Sequence, residues 1–117
     1  MKPTVTQVKS LALIKYAEDR GWKVERFESR EKSFFKKQPR FTLYLVRAEF
    51  LTYYSIHLFI GAGRVSGVAR MMGVGKDYES KIGNWSEAQS AAFSFGIPTG
   101  EDRRRLGLPP KTQENQQ

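Results

Sequence analysis

Apolar residues recur at helical spacing near the start of the chain. The positions that share this spacing are Val5, Val8, Leu11, Ala12, Ile14 and Ala17. Thr4 and Gln7 are spaced as a capping box, and Gly21 stands where a left-handed C-terminal cap belongs. The pattern predicts a helix over residues 5–20.

A second capping pattern lies near the carboxyl end. Ser86 and Gln89 have the spacing of a capping box and precede a run rich in alanine and phenylalanine. This pattern predicts a short helix over residues 87–95. Thr99, followed by acidic residues at positions 101 and 102, can begin one further helical turn.

Alternation of apolar and polar residues predicts strands between these helices. Residues 22–27 alternate apolar and charged side chains, although the apolar ones share a face only if a bulge intervenes. Residues 41–46 read as a second strand, with Phe41, Leu43 and Leu45 on one face. The two segments are predicted to form a hairpin with a long basic loop.

Residues 48–60 suit two structures. Phe50, Tyr54 and Leu58 would share a helix face, whereas the even positions from 54 to 60 alternate as they would in a strand. No Gly, Pro or Asn marks a turn just before Phe50, which favours the helix slightly.

Two further short strands are predicted at residues 65–72 and 77–82. Together the elements predict an α+β fold in which an antiparallel sheet carries helices on one face, with the N-terminal helix followed by a basic β-hairpin. The length of 117 residues fits one domain. We assign residues 1–107 to this domain and residues 108–117 to a flexible polar tail.

The composition excludes several kinds of chemistry. The chain has no cysteine, which removes disulfides, thiolate catalysis and sulfur-ligated zinc. The single histidine, His57, lies among large apolar residues, which favours a packed or half-exposed side chain over a catalytic one. No cofactor is expected. No early apolar run indicates a signal peptide, and the apolar stretch 50–60 is too short to cross a bilayer, so we expect a cytoplasmic protein.

The charge of the chain is strongly positive and unevenly distributed. The formal net charge is +8, from 20 basic and 12 acidic residues. Residues 26–40 hold six basic and two acidic residues, so half of the net charge lies in fifteen positions. Phe34 and Phe35 lie in the middle of this segment. Basic groups can follow phosphates while aromatic rings stack on bases, although such a loop can also be merely solvated.

This pattern predicts that the protein binds double-stranded nucleic acid, DNA ahead of RNA, mainly through phosphate contacts. The residues predicted to make these contacts are Arg26, Arg30, Lys32, Phe34, Phe35, Lys36, Lys37, Arg40, Arg64, Arg70, Lys76, Arg103, Arg104 and Arg105. The last three form a compact patch that either contacts phosphate or complements a helix C-terminus.

Two Gly-x-Gly steps precede basic residues, at positions 61–64 and 73–76. Backbone amides in such turns can cradle a phosphate, although glycines at strand ends are more often simple turns. The second step is not a P-loop, because Arg70 holds the first glycine position and Asp77 follows the lysine.

The order helix, hairpin, helix, hairpin, helix resembles one half of a LAGLIDADG homing endonuclease. Residues 13–21 read L-I-K-Y-A-E-D-R-G beside that family's L-A-G-L-I-D-A-D-G, and the resemblance covers residues 11–105. It implies a middle helix at residues 49–61 and a first hairpin that lies along the DNA major groove. The family places a metal-binding acid just before the last glycine, where this chain has Arg20, so the resemblance implies a binding-only descendant ahead of a nuclease.

A second resemblance is to a double-stranded-RNA-binding domain, through the order helix, three strands, helix. Residues 37–45 and the run from Ser86 to Ala92 carry it. That family has a lysine-rich start to its last helix, whereas residues 82–85 here read Ile-Gly-Asn-Trp. A helix or a strand at residues 48–60 decides between the two resemblances.

Two other classes of function stand beside nucleic-acid binding. A small basic accessory protein of a mobile element or phage would dock on a protein partner or on a second copy of itself through aromatic anchors. Those anchors would be Phe34, Phe35, Trp22 or Tyr53. A homing-type nuclease would need Mg²⁺, and Glu18 and Asp19 are its candidate carboxylates.

Overall fold

In the part of the chain that the structure describes, three helices and a five-stranded antiparallel sheet make up the fold. The computed structural model describes residues 5–29, 40–61, 63–73 and 75–109. Its elements are α1 (Val5–Glu18), β1 (Lys23–Ser29), β2 (Arg40–Glu49), β3 (Thr52–Gly61), β4 (Arg64–Gly73), β5 (Lys76–Ile82), α2 (Trp85–Ser94) and α3 (Gly100–Leu106). Each strand pairs with the one before it in the chain. The predicted α+β class, with an N-terminal helix followed by a β-hairpin, is confirmed.

Strict alternation along β2 builds the buried face of the sheet. Phe41, Leu43 and Leu45 are all buried on this face, as predicted, and the two leucines have no exposed surface. Directly opposite residues of antiparallel strands share a face. Their partners on β3 are Ile60, Leu58 and Ile56, which are buried as well.

Helices α1 and α2 cover this face through small side chains. Ala17, Ala88 and Ala92 are at most 1% exposed, so the helix backbones lie close to the sheet and to one another. Trp22 fills the space beside them and donates its indole N–H to the Ala92 carbonyl at 2.9 Å. Its side chain is 3% exposed, so the prediction that Trp22 is a surface anchor for a partner is wrong.

A bulge in β1 allows that strand to contribute to the core. The register shifts between Val24 and Arg26, which leaves Glu25 as the extra residue. Val24 then lies opposite Leu45, and Phe27 lies opposite Leu43. The bulge that the apolar spacing required is therefore confirmed.

Residues 52–61 form the central strand β3, and the prediction of a helix in this region is wrong. The strand pairs with β2 on one side and with β4 on the other. Backbone pairing on both sides and burial of its even-numbered residues outweigh the weak helical pattern. The middle helix implied by the LAGLIDADG resemblance is consequently replaced by a strand.

The β2–β3 turn was missed because no usual turn residue marks it. Phe50 and Leu51 form the tip between the paired residues Glu49 and Thr52. Leu51 has a φ of 65°, in the left-handed region that favours glycine. Phe50 is 90% exposed and Leu51 is 61% exposed, so neither side chain contributes strongly to the core.

The helix ends follow side-chain capping. Asn84, rather than the predicted Ser86, caps α2 by accepting a hydrogen bond from the Glu87 N–H at 2.8 Å. The turn predicted after Thr99 is confirmed as α3, whose capping box joins Thr99 and Asp102. Of the predicted tail, residues 108–109 follow α3 directly, and residues 110–117 lie outside the described residues. No helix in the described part is long and apolar enough to cross a membrane.

Replacing Leu51 with glycine should stabilise the protein. An L-residue in the left-handed region costs about 1–2 kcal/mol, which exceeds the entropic cost of a glycine, about 0.5–1 kcal/mol. We expect Leu51→Gly to raise the free energy of unfolding by about 0.5–1 kcal/mol, measured by urea denaturation. Phe50→Gly is the matched control and should lower it, because Phe50 lacks a positive φ. A loss of stability in Leu51→Gly equal to that of the control would contradict strain at this turn.

Candidate nucleic-acid interface

The sheet has a second face, which none of the described helices covers; we call it the open face. It consists of the side chains that alternate with the buried ones along each strand. Among the described residues, the basic ones on this face are all exposed: Lys23, Arg26, Arg40, Arg64, Arg70 and Lys81. Six cations therefore lie on the side of the sheet away from α1 and α2, together with the acidic residues Glu28, Asp77 and Glu79.

Three aromatic rings lie together at the centre of the open face, and we call them the aromatic patch: Tyr44, His57 and Phe59. The rings of Tyr44 and His57 meet edge to face with centroids 5.3 Å apart. The rings of His57 and Phe59 are tilted with centroids 4.8 Å apart. Phe59 is 45% exposed, although the solvent face of an antiparallel sheet is usually polar. The patch offers ring surface to a ligand.

Sequence reasoning missed the aromatic patch. His57 was expected to be packed or half-exposed, yet it is exposed on the open face. The signal was present in the odd-numbered positions of residues 53–59, which read Tyr, Ser, His and Phe where a solvated face would carry charges. It could be read only once this segment was known to be a strand.

A shallow groove of about 520 Å³ lies on the open face beside the patch. Arg26 and Arg70 line it together with the patch, and Glu25 from the β1 bulge adds one acidic group. Arg26 lies directly opposite Tyr44. Cations and rings therefore line the same groove.

Gly67 contributes backbone rather than a side chain to this groove. A Cβ built on Gly67 would come within 2.0 Å of the His57 carbonyl oxygen, a distance that no real side chain tolerates. Only glycine allows β3 and β4 to approach in this way.

Arg40 and Arg64 form a pair at one end of the open face, which we call the basic rim. Arg40 pairs with Gly61, and Gly61 pairs with Arg64, so the two arginines lie in one row across three strands. Their backbones are about 10 Å apart. The stem of Arg40 lies across Gly61, where a Cβ would come within 3.1 Å of its Cγ. A larger residue at position 61 would therefore displace the Arg40 stem from this row.

The basic rim lies next to the most basic segment of the sequence. Strand β1 ends at Ser29 and β2 begins at Arg40, at the same end of the strands as the basic rim. The predicted contact residues between them lie outside the described residues: Arg30, Lys32, Phe34, Phe35, Lys36 and Lys37. These residues carry four positive charges and attach to the chain beside the rim.

Arg26 and Arg70 are held only by weak ion pairs. Arg26 lies 3.7 Å from Glu28, and Arg70 lies 3.8 Å from Glu79. All four side chains are more than half exposed, and such pairs contribute little to stability. Either arginine can therefore turn to an anionic ligand at small cost.

Tyr53 continues the aromatic surface along β3. Desolvation of its hydroxyl raises the pKa of Tyr53, and a hydrogen bond with Tyr44 and the negative charge of Glu25 raise it further. Tyr53 is 37% exposed. Its hydroxyl stays protonated at neutral pH and can act as a hydrogen-bond donor on the open face.

The two Gly-x-Gly steps are hairpin turns at opposite ends of the sheet. Gly63 and Gly75 have φ angles of 74° and 76°, as two-residue turns require. Gly63 donates its N–H to the Thr6 hydroxyl at 2.9 Å, which commits this amide to the fold. Strand β4 separates the steps, so Arg64 and Lys76 do not belong to one site.

The arginine run at residues 103–105 lies on α3, away from the open face, and two of its members have partners in the fold. Arg103 donates to the Pro109 carbonyl at 3.0 Å. Arg105 lies 3.1 Å from Asp102, and Arg104 is exposed. The structure therefore does not bring this patch together with the basic rim.

Asp102 is the buried acid that fixes α3 to the rest of the fold. Its Oδ1 lies 2.8 Å from Nη2 of Arg20, and the two side chains are 0% and 8% exposed. Arg20 also stacks on the ring of Tyr16, with its guanidinium carbon 3.6 Å from the centroid. Burial alone would raise the pKa of Asp102, but hydrogen bonds from Thr99 and the Arg20 guanidinium hold it below its ordinary value.

The carboxylates considered for a nuclease do not form a metal site. Asp19 is exposed and lies 3.2 Å from Lys15, and Glu18 is exposed at the end of α1. Among the described residues, no three His, Asp or Glu side chains lie close enough to hold a metal ion together.

Comparison of the chain with models of protein families, with curated proteins and with solved structures finds no match.

Removing the charge of Asp102 should destabilise the protein and change its response to acid. Asp102→Asn leaves Arg20 buried without its counter-charge, which costs about 3 kcal/mol of unfolding free energy. Because the folded pKa of Asp102 is depressed, its contribution is complete above the unfolded value of about 3.9 and is lost as the pH falls through the folded pKa. Urea denaturation between pH 7 and pH 2 should therefore show a steeper acid loss in the wild type than in the variant.

The control is Asp19→Asn, which removes an exposed aspartate from a surface ion pair. It should change stability by less than about 0.5 kcal/mol. Equal losses in the two variants would show that the Arg20–Asp102 pair does not anchor α3.

Proposed function

We propose that this protein binds nucleic acid through phosphate contacts centred on the basic rim. The observation that carries the proposal is the placement of Arg40 and Arg64 in one row of the open face, next to the attachment of the basic segment 30–39. Two cations whose backbones lie about 10 Å apart in one row suit a ligand that carries repeated negative charges.

The net charge supports the same partner. A charge of +8 attracts polyanions over a distance set by the salt concentration. On the helix-covered side, Arg20 is buried with Asp102 and Arg103 donates to the Pro109 carbonyl, whereas Arg40 and Arg64 on the open face are exposed. The open face is therefore the better candidate for the phosphate-binding surface.

The expectation of duplex DNA came from the basic segment 30–39, which lies outside the described residues, and no described residue favours a duplex over a single strand. The basic rim itself contacts phosphates in either a duplex or a single strand. A binding protein remains our proposal ahead of a nuclease, since the candidate acids Glu18 and Asp19 lie at the end of α1, on the helix-covered side of the sheet.

Loss of the rim charges should weaken binding and reduce its salt dependence. We expect the double variant Arg40→Gln/Arg64→Gln to bind 20-nucleotide DNA at least tenfold more weakly at low salt. The slope of log K against log salt should fall by roughly 1.5, because two phosphate contacts are lost. Fluorescence anisotropy at several salt concentrations, on duplex and single-stranded DNA and RNA, measures both quantities.

The matched control is Lys9→Gln/Lys15→Gln, which removes the same charge from α1 on the other side of the sheet. It should retain most of the affinity and the wild-type slope. Equal losses in the two double variants would show that net charge, and not the rim, drives binding. If none of the four nucleic acids binds in a salt-dependent manner, the proposal is overturned.

A second candidate function is docking on a protein partner, and one observation favours it. Phe50 and Leu51 present apolar surface at the tip of the β2–β3 hairpin, although leucine is costly at that backbone conformation. Retention of an unfavourable residue at an exposed tip fits a contact with another molecule. Such binding would be insensitive to salt and lost in Phe50→Ala, whereas phosphate binding would be unchanged.

A further inference from the structure

We infer that the open face binds unpaired nucleotides of a single-stranded nucleic acid, whose bases stack on the aromatic patch while its phosphates contact the basic rim. This inference rests on the proposed function and adds which form of nucleic acid the site accepts. In this inference the aromatic patch contacts bases. A duplex keeps its bases stacked inside the helix, whereas a single strand exposes them.

The aromatic patch spans two neighbouring strands of the open face. Phe59 and His57 lie on the central strand β3, and Tyr44 lies on the neighbouring strand β2. An open sheet surface accepts splayed bases, whereas the major groove of a DNA duplex accepts protruding elements such as helices and ribbons. The rings are in contact, with centroids 4.8 and 5.3 Å apart, but they differ in tilt, so they offer separate stacking surfaces to successive bases.

The rings of the patch lie close enough to the cations of the open face for one nucleotide to contact both. Phe59 lies one alternation before Gly61, which is the centre of the basic rim. One alternation along a strand is about 7 Å, so a base on Phe59 leaves its phosphate within reach of Arg40 or Arg64. Arg26 and Arg70 line the groove beside the other rings and can contact the phosphates that follow.

Charge complementarity favours this occupant over a second copy of the chain. The described open face has more basic than acidic side chains, so two open faces packed together would carry like net charge. An acidic protein would satisfy the cations, but it would leave three clustered rings without planar partners. A single strand supplies both anions and flat rings in regular alternation.

The experiment separates bases from phosphates. Anisotropy titrations would use a 12-nucleotide single strand, the same strand with all central bases replaced by abasic sites, and the matching duplex. The wild type should bind the intact single strand most tightly and lose roughly tenfold or more on the abasic strand. Phe59→Ala should weaken binding to the intact strand by a similar factor and leave binding to the abasic strand unchanged.

Phe50→Ala is the matched control, since it removes the same ring from an exposed position outside the open face. Its affinity should equal that of the wild type. Thermal melting checks that Phe59→Ala remains folded, and ultraviolet cross-linking to a single strand should label Tyr44, His57 or Phe59.

The outcomes are distinct. Salt-dependent binding that is equal on intact and abasic strands and unaffected by Phe59→Ala would overturn the single-strand inference and keep the proposed function. Tighter binding to the duplex than to the single strand would also overturn the inference. Failure to bind any strand would overturn both. A dimer in sedimentation that Phe59→Ala dissociates would assign the open face to a contact between copies and would likewise overturn the inference.

Discussion

Burial of one face of the sheet under α1 and α2 is the interaction on which the rest of the structure depends. Leu43, Leu45, Ile56 and Leu58 provide the contact from the sheet, and alanines provide it from the helices. Because strand side chains alternate, fixing one face towards the helices fixes the other face towards solvent. The aromatic patch and the basic rim occupy their positions as a consequence of this packing. A shift of one residue in the register of β3 would bury His57 and expose Leu58.

Hydrogen bonds and an ion pair at the two ends of the sheet hold the helices in place on it. Gly63 is tied to Thr6 at the start of α1, and Trp85 donates its indole N–H to the Gly63 carbonyl at 2.9 Å. At the opposite end, the guanidinium of Arg47 reaches the Phe95 carbonyl, and Arg20 reaches Asp102. Two arginines thus serve the fold and cannot be counted as part of a ligand surface. The exposed cations that remain make the open face a candidate interface for nucleic acid.

Much of the fold could be predicted from the sequence, because periodicity reports local structure well. The first helix, the strand from Phe41 and the bulge in β1 all followed from the spacing of apolar residues. Residues 52–61 could not be assigned, since their helical and strand patterns overlap and pairing with two neighbours settles the outcome only in three dimensions. The turn at Leu51 carries no sequence signal, because leucine at a positive φ is uncommon.

The site was predictable only in part, for a related reason. Charge identified Arg40 and Arg64 as candidates, but it did not show that they share a row across Gly61. The aromatic patch depends on cross-strand pairing of Tyr44 with His57, which no local pattern encodes. Charge also gave equal weight to Arg103 and Arg105, which the structure assigns to contacts around α3.

The strand order has a consequence for how the chain reaches this structure. Every strand pairs with its predecessor, so each step of sheet formation closes a short loop, and only the β1–β2 connection exceeds two residues. Proteins dominated by such local pairings fold faster than sheets with crossovers, and their nascent chains spend less time with unpaired edges. Loop-closure entropy also grows slowly, by about 0.6 kcal/mol for each doubling of length. The β1–β2 connection can therefore vary in length between descendants of this chain with little effect on the stability of the fold.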